Sequence, residues 1–167
     1  SYGFLWIGTS NGLNCYYGSG NKIYRNVLND KYSLGNNFVS SLMEEGEDLW
    51  IGTSSGLYIY DRSDDHFLYF DKTTKYGVFI SCEVKKIVKT KNGLIWIATL
   101  GQGIFIYDPA KDVLTQNSIR TFFAWDICQG TDSLVYVSSM QEGLLCFDEE
   151  GTFLQNYPVS SELSIGN

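Results

Sequence analysis

The string LWIGTSNGL at residues 5–13 returns as LWIGTSSGL at 49–57, as IWIATLGQGI at 95–104 and, eroded, as VYVSSMQEGL at 135–144. The aligned aromatics Trp6, Trp50, Trp96 and Tyr136 lie 44, 46 and 40 residues apart. A period of about 40–50 residues belongs to units that are each one small antiparallel sheet, and is longer than the period of most helical-hairpin repeats.

Within each unit, short runs of Ile, Val, Leu, Tyr, Phe and Trp are broken by Gly, Asn, Asp and Ser, and no helical spacing persists long enough to compete. The second unit predicts strands over 39–45, 49–53, 57–61 and 66–71. The third predicts 84–90, 94–99, 103–107 and 112–116, and the fourth 123–129, 134–138, 143–147 and 152–157. The first is incomplete, with strands over 4–9, 13–17 and 22–26 and no innermost strand. The tail 158–167 reads as the start of a further innermost strand, with 160–165 placed to complete the first unit. Gly12, Gly56, Gly103 and Gly143 follow the second strand of each unit, where a tight hairpin needs positive φ.

Strands such as Leu49-Trp50-Ile51 are apolar on both faces, so each sheet needs cover on both sides. Radial stacking supplies it. The expected fold is all-β, a β-propeller of four-stranded antiparallel blades (2–26 incomplete, 39–71, 84–116 and 123–157), with about four blades present as part of a larger propeller.

A net charge of −7, with no basic run beyond Lys85-Lys86, argues against nucleic acid or an anionic membrane surface as partner. No apolar stretch approaches the ~20 residues of a membrane-spanning helix, and no signal peptide is visible. The segment is expected to be soluble and cut from something longer. Cys15 and Cys146 align with Ile59 and Ile106, and Cys128 aligns with Met43 and Val88. These cysteines, with Cys82 the least constrained, are therefore expected as buried free thiols rather than disulfides. No CxxC spacing offers a metal site, and no cofactor is expected.

The run DKYSLGNNFVSSLMEE leading into DLWIGT, within LWIGTSNGL…SSGLYIYD, resembles the two-component regulator propeller repeat. The third unit departs from it with Ala98 for Gly and one inserted residue before Gly103, and the fourth with Tyr136, Ser138 and Ser139 in place of Trp, Gly and Thr. The resemblance implies the periplasmic sensor region of a hybrid two-component system of gut bacteria. Such regions sense glycan fragments and signal through a membrane helix to a histidine kinase.

Residues that recur serve the repeat, so Trp6, Trp50, Trp96, Tyr16, Tyr60 and Tyr107 are assigned to blade packing. Residues that escape it are the site candidates. The connections between blades, together with the turns before each repeated Gly, should gather on one face of the disc. That face is expected to carry Tyr32, Asn36, Asn37, Tyr76, Phe79, Arg120 and Trp125, with Asn11, Gln102 and Gln141 on the turns. Trp125 aligns with Ser40 and Lys85, so its bulk is not demanded by the repeat. Aromatic platforms beside amides suit an oligosaccharide; the other expected partners are neighbouring blades or a second copy of the chain. Catalysis is not expected. Asp126, Asp132, Glu142, Asp148 and Glu149 form no spaced acid/base pair, and the single histidine, His66, merely opens a strand.

Overall fold

The computed structural model describes residues 3–119, 121 and 123–158; the tail at 160–165 and Arg120 lie outside them. Fifteen strands form four antiparallel sheets in chain order. Blade 1 comprises β1 (Leu5–Thr9), β2 (Gly12–Tyr16) and β3 (Asn21–Tyr24). Blade 2 comprises β4 (Val39–Glu45), β5 (Asp48–Thr53), β6 (Gly56–Asp61) and β7 (His66–Tyr69). Blade 3 follows with β8 (Glu83–Lys89), β9 (Ile95–Leu100), β10 (Gly103–Asp108) and β11 (Val113–Gln116). Blade 4 closes with β12 (Ala124–Gln129), β13 (Val135–Ser139), β14 (Gly143–Phe147) and β15 (Phe153–Tyr157). Each sheet is a meander in the expected strand order, and β8 packs against both β4 and β12. The innermost strands thus line a common axis, as in a propeller.

Blades pack in one direction. Each repeat Trp projects from its blade's front face onto the back face of the next: Trp6 lies 5.1 Å from Tyr60, Trp50 5.7 Å from Tyr107, and Trp96 5.6 Å from Phe147, ring centre to ring centre. The back-face residues Leu49 and Ile51 are 1% and 0% exposed beneath blade 1, whereas their counterparts Leu5 and Ile7 in blade 1 are 56% and 45% exposed. No described blade covers that face, nor the front face of blade 4, which corrects two expectations. Tyr16 is exposed and its hydroxyl donates to Gly18 O at 2.7 Å instead of packing between blades. Cys128 is exposed too, because its side chain lies on the front of blade 4, level with Tyr136.

Cys15 and Cys146 are buried, Cys82 is partly so, and all four cysteines are free. Burial pushes the Cys15 and Cys82 thiols up, which further slows their reaction. In the folded protein a thiol reagent should label Cys128 promptly and spare Cys15 and Cys146. Four thiols should titrate after unfolding without reductant; fewer than four would show a bridge.

The glycine of the WIGT signature has a steric cause. A Cβ on Gly8 would stand 2.6 Å from a methyl of Val39 on the next blade, and one on Gly52 would stand 2.8 Å from a methyl of Val84. Real side chains do not approach so closely. In the third unit the equivalent residue is Ala98, and the residue equivalent to Val39 and Val84 is Ala124. Both alanines are fully buried in one cluster with Trp96 and Phe147. The added methyl on one blade is matched by methyls lost from its neighbour.

The outer rim carries a second interblade contact. Tyr60 and Tyr107 end the third strands, and their hydroxyls donate to Asp65 and Asp112 at 2.6 Å, each aspartate sitting in a left-handed turn conformation (φ 59° and 53°). A lysine from the preceding blade completes each cluster, Lys22 on Asp65 and Lys72 on Asp112, both at 2.5 Å. In blade 4, where Phe147 replaces the tyrosine, the Asn117 amide donates to Gly151 O at 2.8 Å instead. Burial pushes the Asp65 carboxyl up, but the Lys22 ammonium and the Tyr60 and Tyr24 hydroxyls outweigh it and leave the group below the usual carboxylate range. Burial, followed by the Asp65 bond, pushes the Tyr60 phenol up to about 12.

A depressed carboxyl contributes stability that is fully present above the unfolded value of about 4 and is lost as pH falls through the folded value. The stability gap between the wild type and Asp65→Asn should therefore be constant from pH 5 to 7 and narrow below pH 4, measured by urea melts. A gap that widens on acidification would contradict this reading.

Candidate functional site

Three β-bulges shape the axial end of the molecule. In every complete blade the innermost strand slips register against the second strand, between Val39 and Ser41, between Val84 and Lys86, and between Ala124 and Asp126. The extra residue is Ser40, Lys85 or Trp125 in turn. A bulge re-aims its side chain out of the ladder's alternation. These three lie together around a depression of about 430 Å³, closed by Phe38, Val39, Lys86 and Asp126.

Within it, the Trp125 indole is 47% exposed, and the Lys85 ammonium stands 4.2 Å from its ring centre. Glu83 accepts from that ammonium at 3.0 Å. Lys86 and Asp126 are 3.7 Å apart, beyond hydrogen-bond reach. The Ser40 hydroxyl is spent on backbone, bonding Gly52 O at 3.1 Å and also Val84 O.

A second, larger cleft of about 630 Å³ opens at the outer part of blade 3, lined by Thr74, Lys75, Tyr76, Gln102 and residues of β11 and the following loop. Tyr76 is 81% exposed there, with the Lys75 ammonium 5.0 Å from its ring centre. Gln102 mainly orders the wall: its amide donates to Phe79 O at 2.9 Å and accepts from Ser81 N at 2.8 Å.

Among the sequence candidates, Tyr76 and Gln102 meet in the rim cleft and Trp125 lines the axial depression, with Phe79 beside Gln102. Asn36 and Asn37 accept from the backbone of Phe38 and Asn26, each at 2.8 Å, so their side chains shape the connection between blades 1 and 2. Tyr32 lies apart. Its carbonyl accepts from Phe67 N at 2.9 Å on β7, and its ring stacks on His66 with centres 4.2 Å apart. The connection thus runs down the outer edge of blade 2 and draws Tyr32 away from the expected face. Asn11 accepts from the Arg25 guanidinium through its carbonyl at 3.2 Å, and Gln141 sits exposed on its turn, its N–H reaching Ser139 Oγ at 3.3 Å. Sequence reasoning missed Phe38, Lys85, Lys86 and Asp126 as neighbours of Trp125. The signal was available, since Ser40, Lys85 and Trp125 share one repeat position yet differ in every property.

Among the described residues no group of His, Cys, Asp and Glu side chains could hold a metal ion, and no pair of carboxylates faces across either depression. Each depression sets an exposed aromatic ring beside a lysine ammonium, and at the axial one Lys85 is paired with Glu83 and Lys86 with Asp126.

The family model described as two component regulator propeller matches residues 33–55. No curated protein sequence matches the chain. Solved structures do. The extracellular domain of BT4673 from B. thetaiotaomicron, described in one structure as that of a hybrid two component system and in another as that of a one component system, superposes with a TM-score of 0.78 at 22% identity, over 93% of this chain and 23% of that one in the first and over 95% and 24% in the second. The extracellular domain of BT3049 from the same organism gives 0.51 at 19% identity over 96% and 27%. Virginiamycin B lyase from Staphylococcus aureus gives 0.67 at 13% identity over 96% and 54%. At these identities the likeness is one of fold, and the chain spans about a quarter of the length of the two receptor domains. Residues 33–55 match the repeat model directly, and the LWIGTS string within them recurs with substitutions in the other blades.

Proposed function

We propose that the chain is a binding and relay module in the periplasmic sensor region of a hybrid two-component receptor, with an oligosaccharide as ligand and a histidine kinase downstream. The carrying observation is the repeat match at 33–55 on a fold that superposes on extracellular domains described as those of hybrid two component systems. The axial and rim depressions support a saccharide, because each sets an exposed aromatic ring beside hydrogen-bonding side chains. The module itself is non-catalytic in this reading and inserts nothing into the membrane; no helix among the described residues is long and apolar enough to cross one.

The test is thermal unfolding with a panel of oligosaccharides. A ligand at 100 times its Kd stabilises by about 2.7 kcal/mol, which raises Tm by roughly 5–10 °C in a chain of this size. No shift with any saccharide would refute the ligand assignment.

The open back face of blade 1 favours a second reading in which these blades are scaffold and the ligand is held elsewhere in the receptor. Leu5, Ile7, Tyr16 and Ile23 are all roughly half exposed there, and an apolar sheet face of this kind is covered by a neighbouring blade or a second copy. Concentration-dependent dimerisation by light scattering, without any saccharide-induced shift, would support that reading over the first.

A further inference from the structure

Resting on the saccharide reading, we infer that the rim cleft of blade 3, rather than the axial depression, holds the ligand, and that the ligand is an uncharged oligosaccharide stacked on Tyr76. The axial depression keeps its polar groups for itself: Lys85 is paired with Glu83 and Lys86 with Asp126, and the Ser40 hydroxyl bonds the carbonyls of Gly52 and Val84. At the rim the hydrogen bonds fix the wall and leave lining groups free. The connection from blade 2 meets β11 at a Thr74–Leu114 bridge and then turns back on itself, Gly77 N donating to Thr74 O and Thr74 N to Val78 O, both at 2.8 Å. Thr74 is buried, and its hydroxyl accepts from the N–H groups of Tyr76 and Val78 at 3.3 and 3.2 Å. Across the cleft the turn 99–103 is one residue longer than its counterpart 53–56. Gln102 in that turn bonds the backbone of Phe79 and Ser81 through its side chain, while its carbonyl accepts from the Gln116 amide at 2.7 Å. Connection, turn and β11 are thereby tied into one frame.

The backbone beneath Tyr76 is held, yet its ring is 81% exposed, more than any other described aromatic side chain. No blade needs a ring presented in this way, whereas a sugar stacks on one through its C–H groups. The Lys75 ammonium and the Tyr76 and Ser118 hydroxyls make no hydrogen bond or ion pair with a described residue, so all three can serve sugar hydroxyls. Charge sets the class of sugar. The lining holds one ammonium and no carboxylate in a chain of net charge −7. The lysine repels an amino sugar, and an exposed ammonium adds at most about fivefold to the binding of a uronate, which the net charge of the chain opposes. A neutral sugar meets neither obstacle. The cleft, at about 630 Å³, falls within the range of small-molecule sites, roughly 300–1,000 Å³.

Calorimetric titration of the chain with neutral trisaccharides of the gluco, galacto and manno series, and with their uronate and free-amine counterparts, tests this. At least one neutral sugar should bind, its amine counterpart more weakly and its uronate counterpart no more than about fivefold more tightly. Tyr76→Ala should weaken binding by about tenfold to a hundredfold, Tyr76→Phe should retain it, Ser118→Trp should block the cleft, and Trp125→Ala should bind as wild type. Tyr76 and Ser118 are both exposed, so these variants should fold, which melting curves check. Undiminished binding by Tyr76→Ala, or a charged sugar bound more than about fivefold more tightly than its neutral counterpart, would overturn this inference while leaving the saccharide reading intact. Absence of binding by every sugar would overturn both.

Discussion

Replacing Trp96 by alanine is expected to destabilise the protein by about 3–5 kcal/mol, the range for truncating a buried aromatic. Trp96 is fully buried, meets Phe147 of blade 4, and belongs to a cluster with Ile104, Ile127, Val135 and Leu145. Domains of ordinary stability hold about 5–15 kcal/mol in all, so a large part of the total is at stake. Trp125→Ala should by contrast cost less than about 1.5 kcal/mol, because its indole is half in solvent and its cover is one lysine. Guanidinium melts of the two variants check the contrast. Equal losses would mean that position within the repeat says nothing about burial.

The second large effect is conditional on a partner. Gly52→Ala would push a methyl to 2.8 Å from Val84 and 3.3 Å from the Cβ of Ser41, and overpacking of this kind costs about 1–3 kcal/mol. Val84→Ala alone opens a void at a fully buried site and is expected to lose about 2 kcal/mol. The double variant Gly52→Ala/Val84→Ala rebuilds in blades 2 and 3 the Ala98 and Ala124 pairing found in blades 3 and 4. It should therefore be more stable than the sum of the single losses by about 1–3 kcal/mol, the scale of coupling between touching residues. Strict additivity in a double-mutant cycle would break the link between the two positions.

This pairing marks where the sequence was legible and where it was not. The strands of all four blades follow from the repeat, because an apolar run closed by a turn has only one place in a four-stranded meander. The substitution of Ala98 read as erosion when seen alone, and its compensation by Ala124 emerges only once blade 3 is laid against blade 4. Cys128 and Tyr16 went astray for a related reason. Alignment assigns a residue to a slot, but a slot is buried only if a neighbouring blade covers it, and none among the described residues covers these two. Tyr32 failed differently: the connection bearing it follows the edge of β7, a path set by one backbone bond to Phe67 that no local pattern announces. For Trp125 the sequence marked the outlier, while its surroundings depended on where three bulges point.

The seam between blades 3 and 4 bears on assembly order. Units this alike can associate out of turn, a characteristic failure of repeat chains during folding. If blade 3 met the innermost strand of blade 2 or of its own kind, Ala98 would collide with a valine; if blade 1 or blade 2 met blade 4, glycine opposite Ala124 would leave a hole. The rim adds a matching distinction, since Lys22 and Lys72 require the aspartates that blade 4 lacks, and Asn117 answers to Gly151. Two small differences in methyl count and one change of rim partner thus work as a key at this seam, favouring blade 3 over blade 1 or blade 2 as the neighbour of blade 4.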